Sequence, residues 1–405
     1  MNNRKYIMLD GKVIDKSITE TEFVKADKNY LYDSFGKRYL DLRSGLWNTS
    51  LGYSDEIYFS VSKEFSRLMN KKLAYLDIHS FDCKLYDELS TNIISFVRNN
   101  MKKCIFTNSG SENTELALKI ASAIYGKKLN VLAINNSYHG SFFGGMSVSG
   151  IDIDVNGRMG KAYEKVKFID FPDDIISEES MLTWLEINLE QYDLFFIEPV
   201  LASAGVRIVS DNFVNEVLRL CKEKNTLTVF DEVATGFYRT GKPLFADRLK
   251  YKPDIICLSK GINNGISPFG SVCVSEGVLV RLEGKPIYHY STQNGNLLSV
   301  SSANSVIKYY LKNGSLLEEK VGKIETQVKK VMKLYPNIVY RCVGAMLAIE
   351  VEKQDIMRLN TILKDLGILT YFYNQPTNGL TILPQFNINL DVLEKALRII
   401  LNKIS

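Results

Sequence analysis

The chain has 405 residues, of which 45% are hydrophobic and 24% charged, and its formal net charge is +4. This length and composition are typical of a globular protein with one large and one smaller domain. Acidic and basic residues are interspersed, and no apolar stretch approaches the roughly 20 residues that span a bilayer. The sequence therefore predicts a protein that binds neither nucleic acid nor membranes.

The number and spacing of the cysteines and histidines limit the redox and metal chemistry that the chain can support. Six cysteines are scattered without the spacing of metal ligands and lie mostly in apolar runs. Reduced thiols in a core are typical of cytoplasmic proteins, and the N-terminus shows no signal peptide. The only histidines are His79, His139 and His289. We therefore expect a cytoplasmic location and no metal site.

Apolar runs alternate with helical patterns from about residue 85 to residue 260, after a strand–turn–strand pattern at 30–41. Predicted strands lie at 104–107, 131–134, 194–197, 226–230 and 255–258, and predicted helices at 112–123 and 213–224. Continuous apolar strands separated by helices indicate an α/β fold with a mostly parallel sheet buried on both faces.

The pattern changes after residue 300. A helix near 299–312, a strand at 344–350 and a final helix at 391–403 predict a separate α+β domain that packs with the N-terminal segment. The predicted division has residues 1–60 in the small domain, 61–298 as the large domain, and 299–405 as the rest of the small domain.

A lysine and an aspartate each follow an apolar run at the end of a predicted strand. Asp231 follows 226–230, and Lys260 follows 255–258 at about the spacing of one βαβ step. Adjacent parallel strands would present both side chains at one edge of the sheet, where ligands of such folds bind. A lysine suited to Schiff-base formation beside a carboxylate that holds a cationic ring nitrogen meets the chemical requirement of pyridoxal phosphate. The simpler alternatives are a solvated lysine and a helix-capping aspartate.

Gly110 and Ser111 stand between the predicted strand at 104–107 and the helix that starts near 112. Small residues let a ligand approach the backbone, and a helix N-terminus offers free amide donors. The two residues are therefore candidate phosphate ligands. An ordinary N-cap by Ser109 or Ser111 explains the same pattern.

Two further residues end strands at the same predicted edge. Tyr138, in Tyr138-His139-Gly140, follows the strand at 131–134, and its ring can stack on a flat cofactor or pack in a loop. Glu198 ends the strand at 194–197, where it either supports a cofactor pocket or is solvated. Together these residues predict an anion cradle, an aromatic plate, a carboxylate and a lysine at the ends of successive strands.

The chain resembles the class III aminotransferases, which are fold-type I pyridoxal phosphate enzymes, over nearly its whole length. The matching segments occur in the family's order: 45–48, 51–53, 107–112, 138–140, 231–241, 258–261 and 289–296. Segment 231–241 is the most specific match. One departure is Asn113, where the family usually has alanine. The resemblance implies a large domain with a mostly parallel seven-stranded sheet and a smaller α+β domain built from both termini.

The resemblance also implies the roles of residues around the cofactor ring. Lys260 would form the Schiff base with pyridoxal 5'-phosphate and later move the proton. Asp231 would keep the ring nitrogen protonated, and Tyr138 and Val233 would cover the two ring faces.

The phosphate would be shared between two subunits. Gly110 and Ser111 would bind it together with Thr292 of the partner subunit, because 289–296 resembles the family loop that reaches a neighbouring active site. A homodimer acting on a small-molecule amino donor and a carbonyl acceptor is therefore expected.

The substrate side departs from the family. Many members have an arginine at the position of Thr381, which grips the substrate α-carboxylate with two hydrogen bonds, and ornithine-type members pair it with a glutamate at the position of Ser203. Both are missing here, and no arginine occurs between Arg358 and Arg398. The loss of both the arginine and the glutamate together is physically coherent, because leaving a buried carboxylate without its cationic partner costs roughly 3–5 kcal/mol of stability. We therefore expect one substrate without an α-carboxylate, bound against an apolar wall that includes Trp47.

The leading hypothesis is an aminotransferase with a ping-pong mechanism. An aminomutase or racemase of the same fold would share Lys260 and Asp231. Segments 198–201 and 231–237 also resemble the 8-amino-7-oxononanoate aminotransferases, although the C-terminal arginine expected there is absent. A catalytically silent scaffold subunit is opposed by the intact lysine and aspartate. A nicotinamide dehydrogenase is opposed by the absence of a Gly-x-Gly-x-x-Gly motif after the first strand of the sheet.

Overall fold

The structure, a computed structural model, describes residues 21–153, 165–351 and 355–404. The strands in this part of the chain are β1 (Phe23–Asp27), β2 (Tyr30–Asp33), β3 (Arg38–Asp41), β4 (Met101–Thr107), β5 (Val131–Ile134), β6 (Val166–Ile169), β7 (Leu194–Ile197), β8 (Val200–Leu201), β9 (Arg207–Ile208), β10 (Leu227–Asp231), β11 (Ile255–Leu258), β12 (Gly270–Ser275), β13 (Tyr340–Val343), β14 (Met346–Glu350), β15 (Ile368–Leu369), β16 (Tyr371–Tyr373) and β17 (Gly379–Ile382).

The longer helices alternate with these strands. They are α1 (Asp55–Asn70), α2 (Lys84–Val97), α3 (Gly110–Tyr125), α4 (Phe143–Val148), α5 (Ile175–Asn188), α6 (Asp211–Glu223), α7 (Glu276–Leu282), α8 (Leu297–Met332), α9 (Ile356–Asp365) and α10 (Leu390–Ile404). None of the helices in the described ranges is both long and apolar enough to span a membrane.

A seven-stranded sheet lies at the centre of the molecule, in the order β4-β12-β11-β10-β7-β5-β6. Its strands are parallel except β12, which runs antiparallel to both neighbours. Strands β5, β7, β10, β11 and β12 are buried at every position. Continuous apolar runs form such strands because both faces are covered by other elements. The predicted α/β fold with a mostly parallel seven-stranded sheet is confirmed.

The two ends of the described chain form smaller sheets together. β1, β2 and β3 form an antiparallel meander, and β15 adds to it in parallel through Ile368 opposite Leu40 and Leu369 opposite Asp41. A separate antiparallel sheet has the order β13-β14-β17-β16. Since a strand from the C-terminal part completes the N-terminal sheet, these two distant parts of the sequence are tied by backbone hydrogen bonds.

Arg239 ties the central sheet to both of these parts. The side chain is buried, and its Nη1 donates to the carbonyl oxygens of Ala345 at 3.3 Å and Pro384 at 2.7 Å, while Nη2 donates to Ser50 Oγ at 2.8 Å. Burial lowers the pKa of Arg239 to about 10. A guanidinium with five donors suits this task, because one side chain reaches carbonyls and a hydroxyl from three segments.

Candidate active site

Three strand ends bring Lys260, Asp231 and Glu198 to one edge of the central sheet. Asp231 is the last residue of β10 and pairs in register with Cys257 of the adjacent parallel strand β11. Lys260 follows β11 by two residues, and Glu198 directly follows β7, the other neighbour of β10. The predicted convergence of these side chains is therefore present.

Opposing influences set the charge state of Lys260. The side chain is partly buried, and burial lowers the pKa of its amine; the nearby carboxylates of Asp231 and Glu198 raise it, and the guanidinium of Arg239 lowers it. The net effect is a lowered pKa. This biases the amine toward the neutral, nucleophilic form that a Schiff-base lysine needs.

The backbone that presents Lys260 is strained and firmly held. Lys260 has a φ of 45°, in the left-handed region that side chains rarely adopt. Asn113 Nδ2 donates to the carbonyl oxygen of Leu258 at 2.7 Å, and Ser259 Oγ donates to that of Phe269 at 2.8 Å. Asn113, which replaces the family's alanine, thus fixes the strand end from which the lysine projects.

A buried histidine orients Asp231. His139 Nδ1 lies 2.9 Å from Asp231 Oδ2, and the amide of Val233 donates to Oδ1 at 3.1 Å. The ring of His139 packs against Phe196, and its Nε2 has no hydrogen-bond partner among the described residues. No helix begins directly after Asp231, so the helix-cap alternative is wrong. His139 was not among the site residues predicted from the sequence, although it lies in the predicted motif Tyr138-His139-Gly140.

Glu198 is buried, so the alternative of a solvated carboxylate is wrong. It accepts hydrogen bonds from the amides of Tyr138 at 3.1 Å and Ala202 at 3.2 Å. Burial raises the pKa of Glu198, and the nearby carboxylate of Asp231 raises it further. The bond to Tyr138 fixes the backbone that carries the ring, and Tyr138 remains 41% exposed.

Gly110 and Ser111 open helix α3, and the N-cap that explains the same pattern is present. Ser109 Oγ accepts from the amide of Glu112 at 3.2 Å, so Ser109 is the N-cap. A Cβ at Gly110 would lie 2.9 Å from Val233 Cγ1. Glycine is therefore required by close packing, and the first turn of a helix has amides without intrahelical partners.

Glu112 connects this turn to the loop that carries Thr292. Its carboxylate accepts from the amide of Asn108 at 2.9 Å and Asn294 Nδ2 at 2.9 Å, and Oε1 lies 3.0 Å from His289 Nε2. Burial alone would raise its pKa, but the hydrogen bonds from His289, Asn108 and Asn294 outweigh this and lower it to about 2. Thr292 itself is exposed.

Trp47 and Tyr371 form an aromatic wall beside Lys260. Lys260 Nζ lies 4.7 Å from the ring centroid of Trp47, and the rings of Trp47 and Tyr371 meet edge to face at 5.6 Å. Thr381 pairs in register with Tyr371 on the neighbouring strand and is 1% exposed. Ser203 lies in the connection between β8 and β9. The wall is therefore built from the N-terminal segment and the C-terminal sheet together.

The residues at this edge fit pyridoxal phosphate. A partly buried lysine lies near a buried carboxylate held by His139, and helix α3 begins at Gly110, three residues after β4 ends. Among the described residues no group of three or more His, Cys, Asp or Glu is arranged to hold a metal ion. When bound, pyridoxal phosphate supplies the electron sink for reactions at the carbon that carries an amino group.

Comparison with known proteins decides the family. The family model for aminotransferase class-III matches residues 14–404. The chain belongs to the class III aminotransferases. It is therefore an enzyme that depends on pyridoxal phosphate. The sequence prediction of a pyridoxal phosphate-dependent aminotransferase is confirmed.

Curated relatives and a solved structure are similar over most of their lengths. The acetylornithine aminotransferase of Streptococcus mutans is 27% identical over 384 residues, covering 94% of this chain and 95% of the relative. The adenosylmethionine-8-amino-7-oxononanoate aminotransferase of Methanocaldococcus jannaschii is 27% identical over 81% of this chain and 78% of the relative. An amine transaminase structure from an uncultivated Pseudomonas species, in its PLP-bound form, superposes with a TM-score of 0.87 at 21% identity and covers 99% of both chains. At this identity it supports the fold alone.

Proposed function

We propose that this aminotransferase moves an amino group between two small molecules, of which one has no carboxylate on the reacting carbon. The observation that carries the proposal is the surroundings of Thr381. This residue is buried opposite Tyr371, and its Oγ1 has no partner among the described residues. A threonine there cannot supply the two parallel hydrogen bonds that an arginine gives a carboxylate.

We propose the following division of work around the cofactor ring. Lys260 bonds to the cofactor and moves the proton, while Asp231, oriented by His139, holds the ring nitrogen. Tyr138 covers one ring face and Val233 the other. The lowered pKa of Lys260 and the 2.9 Å contact between His139 and Asp231 support these roles.

The proposed phosphate site draws on two subunits of a homodimer. Gly110 and Ser111 would bind the phosphate with Thr292 of the partner subunit. The loop that carries Thr292 supports this proposal, because it is anchored at Glu112 yet exposes Tyr288 and Tyr290 by 74% and 69%. Large exposed aromatic side chains on a fixed loop are typical of interfaces.

We place the enzyme in the cytoplasm. All six cysteines are free thiols, and burial raises the pKa of several of them, including Cys221, Cys257 and Cys273. Such thiols are inert core residues of the kind that reducing compartments preserve.

Substrate pairs that differ only in the α-carboxylate test the proposed function. In the donor half-reaction, propylamine is compared with 2-aminobutanoate by the rate at which the yellow holoenzyme bleaches. In the acceptor half-reaction, propanal is compared with 2-oxobutanoate by the return of the colour. We expect the compound without the α-carboxylate to react faster in at least one half-reaction. A preference of tenfold or more for the α-acid in both half-reactions would defeat the proposal.

A further inference from the structure

Asn113 joins the ends of two strands that are not neighbours in the central sheet. The residue is fully buried in the first turn of α3, where its amide donates to the carbonyl oxygen of Ser109 at 3.1 Å. Its side-chain Oδ1 accepts a hydrogen bond from Thr107 Oγ1, and its Nδ2 donates to the carbonyl oxygen of Leu258 at 2.7 Å. One side chain therefore bonds to the last residue of β4 and to the last residue of β11.

Strand β12 lies between the two strands that Asn113 joins. The sheet order is β4-β12-β11, and Gly270, the first residue of β12, is the register partner of Thr107. A Cβ at Gly270 would lie 2.5 Å from Thr107 Oγ1 and 2.9 Å from Asn113 Oδ1. The hydrogen-bonded pair therefore packs against the backbone of Gly270, and glycine leaves the room that this pair needs.

The two strand ends lead to the two proposed attachment points of the cofactor. β4 is followed by the turn with Gly110 and Ser111, the proposed phosphate ligands, and β11 is followed by Lys260. Asn113 lies in the same helical turn as Gly110 and Ser111. Its side chain therefore connects the phosphate turn with the strand that carries the lysine.

Asp231 is connected to the lysine strand without Asn113. β10 and β11 are adjacent and parallel, with Asp231 in register with Cys257, and the amide of Glu232 donates to the carbonyl oxygen of Cys257 at 3.0 Å. Backbone hydrogen bonds thus hold the proposed ring anchor beside the strand that leads to Lys260. Removal of the Asn113 side chain is therefore expected to loosen the phosphate turn relative to Lys260 and to leave Asp231 in place.

We propose that Asn113 is a positioning residue that fixes the separation between the phosphate turn and Lys260, and thereby raises the affinity for a cofactor held at both ends. The inference rests on the proposed roles of Gly110, Ser111 and Lys260. Two contacts with one ligand reinforce each other when the protein holds them at a fixed separation, because the second contact then costs less entropy. Alanine, the usual residue of the family at this position, has neither a side-chain donor nor a side-chain acceptor.

Three ligands that share the pyridine ring separate the two ends. Pyridoxal can bond to Lys260 but has no phosphate, pyridoxine 5'-phosphate has the phosphate but no aldehyde, and pyridoxal 5'-phosphate has both. Calorimetry measures their affinities for the full-length protein after removal of bound cofactor. For Asn113→Ala we expect the affinity for pyridoxal 5'-phosphate to fall about 3- to 10-fold, the range of a neutral hydrogen bond, and the other two affinities to stay within about twofold. A fall below threefold for pyridoxal 5'-phosphate, or above twofold for either of the others, would overturn the proposal.

Thr107 provides a double-mutant test of the same contact. Thr107→Val removes the hydroxyl that donates to Asn113 Oδ1 and keeps the shape of the side chain, so we expect a selective fall for pyridoxal 5'-phosphate here too. Because both side chains belong to one hydrogen-bonded connection, adding Thr107→Val to Asn113→Ala is expected to cause no further fall. Falls that multiply in the double variant would show that the two residues act separately, which contradicts the proposal.

Asn29→Ala is the control for the loss of a buried amide. Asn29 is 7% exposed, and its Nδ2 donates to Gln385 Oε1 at 2.8 Å and to Asn387 Oδ1 at 2.6 Å. We expect Asn29→Ala to keep the wild-type ratio of affinities for pyridoxal 5'-phosphate and pyridoxal. A fall in this ratio as large as that in Asn113→Ala would contradict the proposal.

The wild-type protein tests the underlying roles separately. If it binds pyridoxal 5'-phosphate no more tightly than pyridoxal and pyridoxine 5'-phosphate, the proposed phosphate and lysine contacts fail, and the proposal fails with them. If the wild-type protein and Asn113→Ala both bind pyridoxal 5'-phosphate more tightly and to the same extent, the proposed site stands and only the positioning role of Asn113 is wrong.

Discussion

At the scale of single residues, the site depends on buried charges whose partners are fixed by short hydrogen bonds. Burial and the charge of Arg239 lower the pKa of Lys260, the carboxylates of Asp231 and Glu198 raise it, and the net shift is downward because burial dominates. Asp231 keeps one orientation because His139 and the amide of Val233 occupy both of its oxygens. The Asp231 carboxylate is therefore already oriented before a ligand binds.

Glu112 provides a prediction about pH at this scale. Its pKa of about 2 in the folded protein lies below the ordinary value of 4.5, so its stabilisation is complete above pH 4.5 and is lost as the pH falls toward 2. We expect Glu112→Gln to lower the free energy of unfolding by about 1–3 kcal/mol at pH 7. Thermal or urea unfolding of both proteins from pH 7 to pH 3.5 measures this. A difference that does not shrink below pH 4.5 would contradict the assignment.

The sequence predicted some of these residues because their signal is local. Asp231 and Lys260 each follow an uninterrupted apolar run, and that pattern identifies the end of a buried strand. The contact between His139 and Asp231 spans 92 positions. Trp47 and Tyr371 are farther apart still, on segments that the pairing of β15 with β3 helps to join. Such partners depend on tertiary packing, which a single sequence does not encode in its local spacing.

At the scale of elements, helix α8 shows where local propensity is overridden. The sequence predicts a helix near 299–312, just before Asn313 and Gly314, two residues of poor helix propensity. The structure continues to Met332, with a local distortion at Asn313, whose φ is −110° and ψ is 16°. Burial of the following turns, including Leu317, Val321 and Ile324, outweighs the poor helix propensity of two residues. Other helix and strand ends differ from the predicted ones by a few residues.

Two glycines in α8 make a matched pair for testing this interpretation. At Gly322 an added Cβ meets nothing within 4 Å, so Gly322→Ala is expected to stabilise the protein by about 0.5–1 kcal/mol. At Gly314 the Cβ would lie 2.6 Å from the hydroxyl of buried Tyr238, so Gly314→Ala is expected to destabilise it. Urea unfolding distinguishes the two. Equal effects of both substitutions would show that local propensity, rather than packing, controls this helix.

At the scale of the whole molecule, the site is assembled from parts that are distant in sequence. The central sheet supplies Lys260 and Asp231, the N-terminal segment supplies Trp47, and the C-terminal sheet supplies Tyr371 and Thr381. Arg239 and the β3–β15 pairing hold these parts together. The overall α/β fold follows from the alternation of apolar runs and helices. Trp47 was predicted for the substrate wall, whereas the place of Tyr371 beside it follows only from how the sheets pack.

The proposed sharing of active sites predicts complementation in mixed dimers. Lys260→Ala homodimers should be inactive, and Thr292→Val homodimers should bind pyridoxal phosphate weakly. A mixed dimer of one Lys260→Ala subunit and one Thr292→Val subunit has one site that combines an intact lysine with Thr292 of the partner subunit. Dimers carrying two different tags are therefore expected to recover up to half of the wild-type activity at limiting cofactor. Activity no greater than that of Thr292→Val homodimers, counted per intact lysine, would mean that Thr292 does not act across subunits.

Borohydride reduction of the holoenzyme, followed by peptide mapping, tests the central claim most directly. The reduced cofactor remains covalently attached to the amine that held it, so mass spectrometry identifies the residue. We predict a single pyridoxyl group on the peptide that contains Lys260, and no such group in Lys260→Ala. A pyridoxyl group on another lysine, or an unmodified Lys260 in fully loaded enzyme, would contradict this account.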